Sequence, residues 1–251
     1  MLRWLRRARP TARESFHDAS AAATAARWLS TLAAECAGRG IPLPPVLTVE
    51  VGTASVRLQL AAARPLAPAP WLSSHHDTVW TRRIETTDAA PGGQVPRGLT
   101  AVGLVDRRTM LVDLTASGAP IALLGDEVDR LEVARRWVDE RSRAPWSRGF
   151  PIVLVDLAEL ATDNTVEYGE RQLSRLVAMG GEGFAILREA PTGQAGRAML
   201  EALRAPGCRW CVVILGAAPA HWTFRARPDG AVTCEVFPAP SAVPDATGAK
   251  R

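Results

Sequence analysis

Lysine is nearly missing from this 251-residue chain: Lys250 is the single one among 30 basic residues, and arginine makes up the rest. Tyrosine occurs once, and aromatic residues are 6% of the chain. No apolar run approaches the ~18 residues that a membrane-crossing helix needs, because Arg, Asp, Pro or Gly interrupts each candidate. The four cysteines, Cys36, Cys208, Cys211 and Cys234, are too few and too scattered for a secreted disulfide framework. Met1 to Pro10 carries arginines but no apolar stretch behind them, so a signal peptide is not expected and the chain reads as cytoplasmic. With 47% hydrophobic and 22% charged residues, collagen, low-complexity disorder and a disulfide-stapled miniprotein are excluded.

The net charge of +4 would suit a nucleic-acid binder if the basic residues clustered, but they are dispersed. One dense group exists, Arg3, Arg6, Arg7 and Arg9, interleaved with Leu2, Trp4 and Leu5. Arginines beside an indole suit an anionic lipid surface, which makes Met1 to Pro10 the segment that would touch a membrane. A solvated chain end is the plainer reading of the same residues.

Along the chain, residues 13–38 carry an alanine-rich helical pattern with Phe16, Ala23, Trp28, Leu29 and Leu32 at roughly helical spacing, stopped by Gly38 and Gly40. Residues 46–51 and 55–60 read as a hairpin around Gly52-Thr53, 61–78 as a proline-rich crossing, and 79–84 as a short strand. Residues 87–96 read as a loop. A second hairpin, 99–105 with 110–114, flanks residues 106–109. The period then changes: apolar strands at 120–124, 150–155, 183–187 and 211–215 alternate with helices at 127–143, 166–179 and 193–204. The pattern predicts a parallel sheet covered on both faces. A hairpin, 222–227 with 231–237, closes the sequence ahead of a Pro/Ala-rich tail. The boundaries fall at about 1–44, 45–118, 119–237 and 238–251. The predicted class is α/β, a parallel sheet flanked by helices, preceded by an amphipathic helix and a β-rich subdomain.

In such a sheet, ligands gather where strands end and helices begin, so the turn Gly125-Asp126-Glu127-Val128-Asp129 is the informative one. A P-loop needs G-x-x-x-x-G-K-[ST], with glycines to wrap phosphate, a lysine for the terminal phosphates and a hydroxyl for magnesium. Gly125 alone matches. Asp126, Glu127 and Asp129 complement the helix dipole themselves and would repel a triphosphate. The strand ending in Asp156 resembles a Walker B strand, although aspartate also commonly caps the turn after a buried strand. Leu157 stands where a hydrolase would place a second carboxylate.

Other constellations carry less. His75-His76-Asp77 has the composition of a metal or acid/base cluster but neighbouring residues project apart, so a solvated loop is favoured. Serines lack a G-x-S-x-G elbow. Gly180-Gly181-Glu182-Gly183 ends a helix and enters a strand, the reverse of a phosphate loop. Cys208 and Cys211 form C-x-x-C, but on a strand positions i and i+3 face opposite sides, so the reading is small-residue packing. No metal or cofactor is expected.

Two resemblances can be drawn from residues. Ile41-Pro-Leu-Pro-Pro45, Val46-Leu-Thr-Val-Glu-Val51, Trp71, Val79-Trp80, Leu99-Thr-Ala-Val-Gly-Leu104, Met110-Leu-Val-Asp-Leu114, Ile121-Ala-Leu-Leu-Gly125 and Ala220-His-Trp-Thr-Phe224 with Pro228-Asp-Gly-Ala231 resemble the middle cytosolic region of actinobacterial membrane proteins. Those proteins join a LysM module and a bacterial transcriptional activator domain. That resemblance implies a regulatory protein-interaction module, the cytosolic half of a divided system. Gly103-Leu-Val105, Leu111-Val-Asp-Leu114 and Gly125 are more distantly similar to the hairpin and P-loop strand of FtsK-type translocases and type VII secretion ATPases. With the lysine and hydroxyl positions unmatched, this implies a degenerate P-loop-like pseudo-ATPase fold. The favoured expectation is thus a non-enzymatic interaction or scaffold module with a protein partner docked on Trp28 and Leu32 of the first helix. Two alternatives are an atypical nucleotide hydrolase using Asp126 or Asp156 for magnesium, and a DNA-associated accessory protein.

Overall fold

A computed structural model describes residues 19–84, 97–105, 108–205, 207–228, 230 and 232–234. Mixed α/β architecture with two sheets and, among the described residues, four helices results. The expectations for Met1 to Pro10, Phe16, the loop 87–96 and the tail 238–251 lie outside the described residues.

Helix α1 (Ala19–Gly38) lies on a six-stranded antiparallel sheet with order β3-β4-β2-β1-β6-β5. Its strands are β1 (Val46–Val51), β2 (Ser55–Leu60), β3 (Leu72–Ser74), β4 (Val79–Arg83), β5 (Leu99–Val105) and β6 (Arg108–Asp113). Alternation puts Val56, Leu58 and Leu60 on the helix-facing side of β2, where Trp28, Leu32 and Trp71 complete the core. The helix buries Ala21, Ala22, Ala25, Trp28, Leu29, Leu32 and Cys36, whereas Ala23 is exposed, so the apolar stripe is shifted from the one expected. Two polar side chains fasten α1 to the sheet. Glu35 accepts a hydrogen bond from Trp71 Nε1 at 2.9 Å and an ion-paired one from Arg82 at 2.5 Å, while the Arg82 guanidinium lies 4.4 Å from the Trp28 ring centre.

The crossing expected over residues 61–78 contains a strand. β3 pairs with β4, and His75, His76 and Asp77 turn the chain between them with φ of 51°, 54° and 62°. Three successive left-handed residues without glycine are uncommon; Ser73 Oγ steadies them by donating to Asp77 Oδ1 at 2.7 Å.

A turn of 3-10 helix, Leu114–Ser117, leads into the second sheet, of order β13-β12-β7-β11-β10-β8-β9. Its members are β7 (Ile121–Leu124), β8 (Ile152–Val155), β9 (Thr165–Glu167), β10 (Glu182–Leu187), β11 (Arg209–Ile214), β12 (Trp222–Ala226) and β13 (Val232–Cys234), all parallel except β13. Helix α2 (Glu127–Arg143) covers one face together with Val102, Met110 and Val112 of the first sheet. Helices α3 (Glu170–Ala178) and α4 (Gly193–Leu203) cover the other. Buried on both sides, β8, β10 and β11 read as unbroken apolar runs. The helix expected over 166–179 is corrected at its start. Residues 165–167 pair with β8, and α3 begins after Gly169, whose N–H donates to Gln172 Oε1 at 3.0 Å. Val128 lies at helical spacing from Leu131 and Val138, which predicts a buried position, but in the first turn of α2 it is 75% exposed.

The two sheets meet where α2 runs along β5, the outer strand of the antiparallel sheet. A bulge at Val102 interrupts the pairing of β5 with β6. Side chains of α2 take up the strand's outward backbone groups. Ala101 N–H donates to both oxygens of Glu140 at 3.0 and 3.1 Å, and Trp137 Nε1 donates to Ala101 O at 3.2 Å. Arg141 donates to Thr100 Oγ1 and to Arg97 O, each at 2.8 Å, with its guanidinium over the rings of Phe150 and Phe184.

Candidate functional site

The chain leaves β10 toward β11, on one side in the sheet order, and leaves the adjacent β8 toward β9, on the other. Connections that diverge from adjacent strands open a crevice at their carboxyl ends. The turn Gly125-Asp126-Glu127 lies at its rim, and a cavity of about 280 Å³ opens beside it, lined by Glu127, Arg130, Leu131, Arg188, Glu189 and Leu215.

Gly125 has φ of +124°, and a Cβ there would stand 2.7 Å from Ala226 O on β12. Close approach of a neighbouring strand accounts for this glycine without any phosphate. Asp126 is the N-cap residue of α2 but makes no side-chain capping bond; its carbonyl accepts from Arg130 N–H at 2.9 Å. Glu127 and Asp129 sit in the first turn, where their charge opposes the positive end of the helix dipole.

Arginine, not lysine, occupies the crevice. Arg188 follows β10 directly, and its three nitrogens reach three elements. Nε donates to Asp156 O at 2.8 Å, Nη1 pairs with Glu127 at 3.1 Å and Nη2 pairs with Glu159. The backbone amide of Glu159 and the Arg188 guanidinium hold that carboxyl below its ordinary range. Arg130 donates from Nη1 to Leu215 O across the same cavity. Asp156, at the end of β8, adopts φ of +56° and contributes its backbone carbonyl to Arg188. The structure therefore brings Glu127, Asp156 and Glu159 together around one guanidinium. Sequence reasoning missed Arg188; a charged residue closing the apolar run 184–187 was the available signal.

The remaining candidates are dispersed. Trp28 and Leu32 are 1% and 0% exposed, so the face expected to dock a partner is already covered by the chain's own antiparallel sheet. His75 and His76 are exposed at a hairpin tip, remote in sequence from any acid but Asp77. Cys211 packs among Phe184 and Val213 on the α2 side of the parallel sheet, whereas Cys208 packs on the α3/α4 side, so the two thiols diverge. Burial pushes the Cys211 thiol up to about 12. Among the described residues no cluster of three His, Cys, Asp or Glu side chains is placed to hold a metal, and no helix is long and apolar enough to cross a membrane. An open depression of about 750 Å³ lies between the first turns of α3 and α4, with Arg171, Gln172 and Thr192 in its exposed wall. The chain matches no family model and no curated protein.

Proposed function

We propose that this chain is a non-catalytic interaction or scaffold module whose parallel sheet retains the outline of a nucleotide-binding fold without its phosphate chemistry. The observation that carries this reading is the arginine cluster at the crevice. Where a nucleotide's phosphates would need N–H groups, a lysine and a hydroxyl, the turn after β7 supplies carboxylates. The Arg188 guanidinium beside it is occupied by Glu127 and Glu159. A triphosphate would have to displace two carboxylates from Arg188 and then sit beside Glu127, whose like charge opposes it. The strand order supports the same outline, since β7 lies inside the sheet between β12 and β11, with its helix-opening turn beside the crevice.

Isothermal titration with ATP and magnesium tests this reading on the full chain. The expected result is no measurable heat at a protein concentration of tens of micromolar. Micromolar binding would overturn it, and magnesium-dependent phosphate release abolished by Asp156→Asn would replace it with the hydrolase.

A further inference from the structure

The cavity of about 280 Å³ beside the turn after β7 retains two charges that the ion pairs of the crevice leave over. Among the described residues its lining is two arginines, two glutamates and two leucines. Arg188 is engaged by Glu127, Glu159 and Asp156 O, and the same contact meets the charge of Glu127. Arg130 has no such partner. Half-buried on α2, it makes one side-chain hydrogen bond among the described residues, from Nη1 to Leu215 O, and no ion pair. Its Nε is enclosed without an acceptor. A guanidinium carries five N–H donors in a fork that matches a carboxylate, so most of this one's capacity is unspent. Gly216 leaves the group its place, since a Cβ there would stand 3.2 Å from Arg130 Nη1.

Glu189, next to Arg188 in the chain, is the second remainder. It is exposed at the same cavity and pairs with no cation among the described residues, Arg130 included. Leu131 and Leu215 add apolar wall. We propose that this cavity binds a small zwitterion, an α-amino acid with an aliphatic side chain, its carboxylate on Arg130, its ammonium beside Glu189 and its side chain against the two leucines.

Volume and charge select this class together. Pockets for drug-sized molecules run from ~300 to ~1,000 Å³, so this one suits a smaller ligand. A simple anion meets Glu127 and Glu189 with like charge, and a simple amine meets Arg130 and Arg188 in the same way. An α-amino acid carries no net charge and answers one leftover charge of each sign. The half-buried contact at Arg130 should contribute more than the exposed one at Glu189. This inference extends the scaffold reading without resting on it, because its ligand has no phosphate.

The test is an NMR titration of the full chain with L-leucine, compared with leucinamide, which lacks the carboxylate, and isocaproate, which lacks the ammonium. Leucine should give saturable shifts at the Glu189 and Gly216 amides. Leucinamide should bind about tenfold more weakly or worse, and isocaproate up to about fivefold more weakly. Arg130→Gln should reproduce the first loss and Glu189→Gln the second. No saturable shift at tens of millimolar leucine, either analogue binding as tightly as leucine, or unchanged leucine affinity in Arg130→Gln would overturn the site. If Arg130→Gln does not fold, the three probes on the wild type decide alone. ATP binding would overturn the scaffold reading and leave this one standing, whereas failure of leucine to bind overturns this one alone.

Discussion

Gly125→Ala separates two explanations of the glycine at the crevice. If it existed to wrap phosphate, alanine would alter ligand binding and leave the apo fold nearly intact. The structure ties it to β12 instead. An alanine there must adopt φ of +124°, a region L side chains rarely enter, at a cost of about 1–3 kcal/mol. Its Cβ also meets Ala226 O at 2.7 Å and Ala226 Cβ at 3.3 Å. A backbone carbonyl cannot swing aside like a side chain, so β7 and β12 must part by several tenths of an ångström, adding about 1–3 kcal/mol of overpacking. The total is about 2–6 kcal/mol, about 4–24 °C in Tm for a chain of this length. Gly118→Ala is the control. Gly118 has φ of +58° with open space around the added Cβ, so alanine there carries conformational strain of about 1–2 kcal/mol and no clash. Urea unfolding followed by tryptophan fluorescence gives both values. Equal destabilisation of the two variants would refute the strand-contact argument.

Two further substitutions probe the surfaces. Trp28→Ala removes a side chain packed edge-on to Trp71, ring centres 6.4 Å apart, and under Arg82, so a loss of about 3–5 kcal/mol is expected in urea unfolding; an unchanged midpoint would show that the α1 face is free after all. Arg188→Ala breaks ion pairs that are partly solvated, and should shift stability by less than about 1 kcal/mol, with the difference shrinking in 1 M salt; a loss above 2 kcal/mol at low salt would mean that the cluster is structural.

Much of the parallel sheet was legible because strands buried on both faces must be apolar throughout, as 121–124, 152–155 and 184–187 are. The edge strands were not. Leu72-Ser73-Ser74 and Thr165-Val166-Glu167 pair on one side, with largely exposed side chains, so backbone partners fix them while the side chains follow no pattern. Val166 stands at helical spacing from Leu173 and Val177, so spacing alone does not exclude it from the helix; Gly169 and Gln172 set the true start. At the crevice, the location of the turn could be read from strand-then-glycine. The grip on Arg188 could not, since Glu127, Asp156 and Glu159 come from separate segments. Trp28 and Leu32 were correctly placed on an apolar stripe, but a stripe does not say which surface will cover it.

The bulged strand β5 also bears on solubility. A sheet rim with bare amides and carbonyls is a template on which a foreign strand can zip. Here Trp137, Glu140 and Arg141 blunt that rim from a helix that is made later in the sequence. During synthesis the antiparallel half therefore passes through an interval with its sticky margin uncovered, and protection arrives once residues 127–143 have emerged and coiled.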